Sequence, residues 1–327
     1  MSDTVDNADT EARGTPPVIA PLAEFELPEA KRIVRTAFGT FLGVPDPEAF
    51  WADRDFVFGR WRAPHVAAFG ASIDGHLVGS NFATKWGSVG FFGPLSVRPD
   101  LQERGIAQSL LAATMEQFTA WGTTHNGLFT FAQSAKHVAL YQKFGFHARF
   151  LTAIMTCPAR QAGPIPGSSL FSALSDTEKT AALAASREVT ESLYPGLDLS
   201  DEIATVDAQV LGDTVLLEGN GGLAAFAICH FGPRSEAGED LCFVKFGAVR
   251  ATPAAEQDYG RLLDACEALA LSVGMPTLLV GANLARHEAY QYLVARGFRT
   301  AIQGVTMHQR NEPGYSRAGV YIIDDWR

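Results

Sequence analysis

The chain has 327 residues, which exceeds the size at which a single core usually divides, so its length predicts two domains of about 150 residues. Hydrophobic residues make up 47% and charged residues 19%, and no apolar run approaches the ~18 residues of a membrane helix. The net charge of −10 excludes nucleic acid as an expected partner and favours a cationic substrate, although an acidic balance is also common among soluble enzymes. Four cysteines without Cys-x-x-Cys spacing indicate a reducing, cytoplasmic location.

Composition divides the chain into segments. Residues 1–17 carry four carboxylates against one arginine, which predicts a disordered acidic tail and not a signal peptide. Residues 157–169 are rich in Pro, Gly and Ser and predict a linker. We therefore expect one domain over 18–156, a second over 170–310, and a C-terminal segment over 311–327.

The first elements in chain order are helices over 28–51, followed by strands over 66–73 and 77–86. Asp74-Gly75 predicts a tight hairpin between these two strands. A third strand over 88–98 contains Pro94, which cannot donate to a strand ladder, so pairing should break there and leave backbone groups for a ligand.

The second part of this half alternates helices and strands. Ala107, Leu111, Met115 and Phe118 mark one face of a helix over 108–121. A short strand over 128–132 follows. Ser134 is placed to cap the next helix, which ends at Gly145, and a strand over 147–156 completes the unit.

The second half repeats this pattern at a constant offset of 152 residues. Val97-Arg98 recurs as Val249-Arg250, Leu110-Leu111 as Leu262-Leu263, and Gly145-Phe146 as Gly297-Phe298. A constant register across a strand, a helix and a helix end indicates duplication. Strands are expected over 214–218, 223–231, 241–250, 277–280 and 300–308, with helices around 262–273 and 284–295 and a final strand near 320–323.

A short motif, Gln102-Glu103-Arg104-Gly105-Ile106-Ala107, lies between the third strand and the amphipathic helix. Pyrophosphate requires converging backbone N–H groups and a positive helix end, and a strand-to-helix loop supplies both. Gly105 permits backbone conformations that a side chain forbids. One strand and one helix later comes a second element, Leu140-Tyr141-Gln142-Lys143-Phe144-Gly145-Phe146.

These two elements, in this order, resemble the acetyl-CoA signature of the GNAT acyltransferase superfamily. The resemblance implies an α/β fold of two tandem GNAT-like domains, each with a central mixed β-sheet flanked by helices. It implies acetyl-CoA as co-substrate and Tyr141 as the catalytic residue, a phenol that protonates the departing thiolate. The cofactor-binding residues that it implies are Leu95, Ser96, Val97, Gln102, Glu103, Arg104, Gly105, Ile106, Ala107, Gln108, Ser109 and Ser134.

Two features depart from the family pattern. The strand before the motif has no carboxylate to serve as a general base. The candidates for the base are therefore water and six carboxylates elsewhere in the chain: Glu24, Glu26, Asp53, Asp55, Asp324 and Asp325. In the second half the motif becomes Ala254-Ala255-Glu256-Gln257-Asp258-Tyr259, without glycine, and Leu293 stands at the position of Tyr141. We therefore expect a degenerate second domain.

The aromatic segment Phe50 to Trp61 has two equally supported interpretations, an acceptor pocket or packing under a loop. No His or Cys spacing typical of a metal site occurs, so no metal is expected. The leading hypothesis is transfer of an acetyl group from acetyl-CoA to a primary amine of a small molecule, by direct attack in a ternary complex. The alternatives are a non-catalytic acyl-CoA sensor and a protein lysine acetyltransferase. We expect no nucleic-acid or membrane partner, and a homodimer stays open.

Overall fold

The computed structural model describes residues 16–160 and 163–327. The predicted acidic tail lies outside the described residues except for its last two positions. The elements of the first half are β1 (Val18–Pro21), α1 (Leu27–Leu42), α2 (Phe58–Trp61), β2 (Val66–Ile73), β3 (His76–Trp86), β4 (Val89–Phe92), β5 (Ser96–Val97), α3 (Ile106–Trp121), β6 (His125–Phe131), α4 (Ala135–Gln142) and β7 (Phe146–Pro158).

The second half begins after the segment predicted as a linker. Its elements are β8 (Ser168–Leu170), α5 (Asp176–Glu191), α6 (Ser200–Gln209), β9 (Gly212–Gly219), β10 (Gly222–Gly232), β11 (Gly238–Val249), α7 (Ala255–Ser272), β12 (Thr277–Asn283), α8 (His287–Arg296), β13 (Arg299–Gln309) and β14 (Ile322–Ile323). No helix in the described ranges is long and apolar enough to cross a membrane.

Local sequence signals are confirmed at three positions in the first half. Asp74 and Gly75 both have positive φ (51° and 78°) and join β2 to β3 in register. The third predicted strand divides into β4 and β5, because Gly93, Pro94 and Leu95 lie outside the ladder. The Ser134 hydroxyl caps α4 by accepting the His137 N–H.

The prediction of helices over 28–51 is wrong in its second part. α1 ends at Leu42 because Gly43 takes a left-handed conformation (φ 67°) that caps the helix. Pro45 and Pro47 follow within one turn and disfavour its continuation. In α3, the fully buried face is Ile106, Leu110, Leu111, Thr114 and Phe118, so the predicted Ala107 and Met115 lie at its half-buried margin.

One mixed sheet runs through the whole molecule. Its main strand order is β1-β2-β3-β4-β6-β13-β7-β12-β11-β10-β9-β8, with β5 paired to β3 and β14 paired to β11. The predicted fold class, mixed sheets flanked by helices, is confirmed. Its two parts are not separate sheets, however, because hydrogen bonds continue from one half into the other.

The two halves exchange their last long strands. β13, from the second half, pairs with β6 of the first half through Gly304–Phe131 to His308–Gly127. β7, from the first half, pairs with β12 of the second half through Thr277–Pro158 to Asn283–Thr152. β13 and β7 then pair with each other, so neither half of the sheet is complete without a strand from the other half.

The hydrophobic core also crosses between the halves. Trp86 and Phe91 of the first half share a cluster with α5, α6 and β9–β11 of the second, and the Trp86 ring lies 5.2 Å from the Phe246 ring. Thr152 and Thr306, on the exchanged strands, are hydrogen-bonded to each other, and both accept from Asn283 Nδ2 at 3.3 and 3.2 Å. The exchange is thus held by backbone, apolar and polar contacts.

Because each half of the sheet contains a strand of the other, we expect a single cooperative unfolding transition. Urea unfolding followed by tryptophan fluorescence and by far-UV circular dichroism should give coincident curves. Two transitions at separate urea concentrations would contradict this expectation.

Candidate active site

A cavity of about 670 Å³ opens where β4 and β6 diverge. The two strands are paired in parallel from Val89–His125 to Phe92–Leu128, and beyond Phe92 the pairing stops while β6 continues to Phe131. The walls of the cavity come from α1, the start of α3, α4, the segment 93–97 and the C-terminal residues Trp326 and Arg327. The break predicted at Pro94 therefore coincides with a cleft inside the sheet.

The N-terminus of α3 faces this cavity. Gly105 is its N-cap with φ 80°, no side chain caps this end, and a Cβ added at Gly105 would meet nothing within 4 Å. The first N–H groups of the helix are thus available, and the helix dipole favours an anion there. Among the predicted cofactor-binding residues of this region, Gln102, Glu103 and Gly105 to Gln108 line the cavity. Arg104 and Ser109 are not among its lining residues.

The open strand edge lies beside this helix end. Leu95, Ser96 and Val97 all line the cavity. Ser96 and Val97 pair with β3 on one side, through Ser80 and Gly79, and have no strand partner among the described residues on the other side. This edge presents backbone groups of the kind that bind amides or a thioester carbonyl.

Ser134, His137 and Tyr141 lie along one face of α4 and all line the cavity. Tyr141 is buried, and its ring lies 5.7 Å from the Phe92 ring. Burial raises the pKa of Tyr141 well above its ordinary value, against the opposing effect of a hydrogen bond with Thr130. The phenol therefore keeps its proton at neutral pH, as a proton donor must. Burial, followed by the charge of Lys136, lowers the pKa of His137 below its ordinary value.

Sequence reasoning missed most of the aromatic side of the cavity. Of the Phe50 to Trp61 segment, Trp51 and Phe56 line it, which agrees with the pocket interpretation for these two residues. The other rings come from α1 and β6. Together they form what we call the aromatic wall: Phe38, Phe41, Trp51, Phe56, Phe129 and Phe131. The i, i+3 spacing of Phe38 and Phe41 on α1 was the available signal.

None of the six candidate carboxylates is among the residues that line the cavity. Asp55 caps α2 by accepting from the Val57 and Phe58 N–H groups, both at 2.9 Å. Asp324 pairs with Arg286 at 2.6 Å and accepts from the Tyr315 hydroxyl. Glu26 accepts the Ala23 N–H at 2.9 Å. Asp53 and Asp325 pair with Arg54 and Arg327, at 4.0 and 3.0 Å.

A buried charge network connects the cavity rim to the second half. Arg60 donates two hydrogen bonds to the Glu236 carboxylate, at 2.8 and 2.9 Å, and also donates to the main-chain oxygens of Gly93 and Arg327. Lys245 lies 3.0 Å from Glu236. Burial alone would raise the pKa of Glu236, but the charges of Arg60 and Lys245 hold it far below its ordinary value. A residue of the second half thereby positions the backbone next to Pro94.

The second half has no equivalent cleft in the described residues. α7 already begins at Ala255, so positions that match the loop of the first half are helical, and Tyr259 is buried against Tyr292 and Tyr321. β14 pairs with Gly247 and Ala248 of β11, and the Asp324 N–H donates to Gly281 of β12. The chain itself therefore fills the place where β11 and β12 diverge.

Comparison with known proteins identifies the class. Residues 30–146 match the model of the acetyltransferase (GNAT) family. The first half of the chain therefore contains a region that matches this family, and the match supports acyl-CoA-dependent acetyl transfer, with acetyl-CoA as the donor. No curated protein is similar enough in sequence to count as a relative.

Solved structures extend the likeness over nearly the whole chain. A tandem GNAT protein from the clavulanic acid biosynthesis pathway has a TM-score of 0.56 and 14% identity, over 91% of this chain and 99% of that chain. A GCN5-related N-acetyltransferase from Sphaerobacter thermophilus has a TM-score of 0.57 and 12% identity, over 91% of this chain and 96% of that chain. An acetyltransferase candidate from Pyrococcus horikoshii has a TM-score of 0.65 and 12% identity, over 94% of this chain and 93% of that chain. At these identities the likeness shows the fold.

Replacing Glu236 by Gln should destabilise the protein strongly, because the buried charges of Arg60 and Lys245 lose their shared partner. We expect the free energy of unfolding to fall by about 3–5 kcal/mol, measured by urea denaturation at pH 7. Glu239→Gln, at an exposed position three residues away, should change it by less than about 0.5 kcal/mol. Equal effects of the two substitutions would show that the network does not stabilise the fold.

Proposed function

We propose that the protein transfers an acetyl group from acetyl-CoA to a primary amine of a small molecule, by direct attack in a ternary complex. The observation that supports this proposal is that one cavity is lined by the free N-terminus of α3, the unpaired edge at Leu95 to Val97, and Tyr141. A pyrophosphate binder, a thioester cradle and a proton donor thus face the same space. Trp326 and Arg327 narrow that space, which favours a small acceptor over a protein surface.

Each group has a defined part in this reaction. The N–H groups at Ile106 to Gln108 bind the pyrophosphate, and the edge at Leu95 to Val97 orients the pantetheine arm and polarises the thioester carbonyl. The amine nitrogen forms the new C–N bond as the C–S bond breaks. Tyr141 gives its proton to the thiolate sulfur and regains one from solvent, while the amine loses its proton to water.

Acetyl-CoA at 100 times its dissociation constant should stabilise the wild-type protein by about 2.7 kcal/mol, seen as a rise in Tm. Gly105→Glu should abolish this shift, since it adds a negative charge and a strained side chain where the pyrophosphate binds. Gly122→Glu is the matched control, because Gly122 caps the other end of α3 with φ 66° and equally open surroundings. No shift in the wild type, or loss of the shift in both variants, would contradict the proposed binding site.

Tyr141→Phe should lower kcat by about 100-fold or more while the KM for acetyl-CoA changes little, because a general acid acts on the departing group. The raised pKa of Tyr141 also predicts no loss of activity from its ionisation between pH 7 and 10. Steady-state release of the CoA thiol measures both effects. Tyr259→Phe is the control, since the buried Tyr259 hydroxyl has no hydrogen-bond partner in the described residues. Unchanged turnover in Tyr141→Phe would remove its catalytic role, and bound acetyl-CoA without turnover of any amine would favour the sensor.

A further inference from the structure

The aromatic wall is a continuous set of rings. The ring centroids of Phe38 and Trp51 are 5.5 Å apart, those of Trp51 and Phe56 5.1 Å, and those of Phe41 and Phe131 5.0 Å. Phe131 also lies 6.4 Å from Phe38 and 6.3 Å from Phe129. These are the separations of offset and edge-to-face aromatic pairs. A flat apolar group entering the cavity would join an existing cluster of rings.

The wall is also close to the reacting groups. Phe41 lies 5.0 Å from the His137 ring, and His137 is one helical turn before Tyr141 on α4. Ile154 of β7 and Ile302 of β13 add apolar surface to the same cavity. The wall therefore forms the surroundings of a molecule whose amine reaches toward the thioester near Tyr141.

Charge in the cavity is distributed in a way that disfavours a polycation. Glu103 is the one carboxylate among the lining residues in the described chain, and it lies in the motif before α3, where Lys136 pairs with it at 3.0 Å. Lys136, Lys143 and Arg327 also line the cavity, and the guanidinium of Arg327 pairs with Asp325 at 3.0 Å and lies 4.3 Å from the Phe243 ring. A second ammonium group would be desolvated against the aromatic wall, which contains no carboxylate side chain to pair with it.

We propose that the acyl acceptor is a monoamine with an aromatic body, of the arylalkylamine class, and not a polyamine, an aminoglycoside or a basic peptide. This inference rests on the proposed function, because it names the acceptor of the same site. It reverses the expectation drawn from the net charge of −10. Among the lining residues one carboxylate, Glu103, stands against Lys136, Lys143 and Arg327, and the aromatic wall itself carries no charge.

The test is an acceptor panel at saturating acetyl-CoA, followed by release of the CoA thiol. The panel compares 2-phenylethylamine and tryptamine with n-butylamine, spermidine and kanamycin. We expect kcat/KM for 2-phenylethylamine to exceed that for n-butylamine by at least about 10-fold and that for spermidine by at least about 100-fold. In the presence of CoA, 2-phenylethylamine should also raise Tm, and spermidine should not, which tests binding without turnover.

Two substitutions in the wall make the assignment specific. Phe41→Ala should raise the KM for 2-phenylethylamine by about 10-fold while the acetyl-CoA thermal shift is retained, and folding should survive because Phe41 is 39% exposed. Phe41→Asp should lower the preference for 2-phenylethylamine over spermidine by at least about 10-fold, because it supplies the missing carboxylate. Phe25→Ala, at a position that is 84% exposed and outside the cavity lining, is the control.

The outcomes separate this inference from the proposed function. A retained acetyl-CoA shift with spermidine, kanamycin or a lysine peptide used as well as 2-phenylethylamine overturns the acceptor class alone. If the acetyl-CoA thermal shift is retained but octanoyl-CoA is the preferred acyl donor, the wall binds the acyl chain, and the proposed acceptor class is likewise overturned. If acetyl-CoA gives no shift and no amine is acetylated, both proposals are overturned.

Discussion

The exchange of β13 and β7 between the halves is the constraint on which the rest of this structure depends. β13 completes the sheet next to β6, and β6 forms one side of the cavity, so the candidate active site is supported by a strand that arises some 170 residues later in the chain. Gly304 of β13 has no Cβ, and one added there would lie 2.2 Å from the Phe129 ring. The position of Phe129 in the aromatic wall is thus set by a strand of the second half. The second half therefore supports the cavity through backbone pairing and side-chain packing.

The network around Arg60 gives the second half another means of acting on the site. A buried ion pair is weak evidence for net stability, because desolvation opposes the Coulombic gain. The Arg60–Glu236 contact instead orients the backbone at the cavity rim, because the same guanidinium donates to the main-chain oxygens of Gly93 and Arg327. The segment between β4 and β5, where the strand ladder breaks, is therefore held by β3 on one side. On the other side it is held by Arg60, whose partner Glu236 belongs to the second half. Both the exchanged strand and this charge bring the two halves together at the same edge of the cavity.

Sequence patterns predicted the features that depend on local chemistry. The Asp74-Gly75 hairpin, the division of the strand at Pro94 and the Ser134 cap each follow from the conformational preferences of one or two residues. The helices predicted over 28–51 extend beyond the observed end of α1, because Gly43 takes a left-handed conformation that caps the helix at Leu42. The strand exchange was not predictable, since β7 and β13 have the same alternation whichever half they pair with. For the same reason the aromatic wall escaped notice: Phe41 and Phe131 are 90 residues apart and meet only through the packing of α1 on the sheet.

The second half repeats the order of strands and helices of the first, and the structure shows how the place equivalent to the open edge at Ser96 and Val97 is filled. In the first half, the edge at Ser96 and Val97 lies open and the helix beside it begins with an uncapped glycine. In the second half, β14 pairs with the equivalent region of β11. Helix α7 also starts earlier, so the Asp258 N–H, at the position equivalent to Ile106, donates to the carbonyl of Ala254. The segment that closes the second cleft continues to Trp326 and Arg327, which line the first. The same few residues therefore fill the second cleft and line the first, and a substitution that displaced β14 would change both places at once.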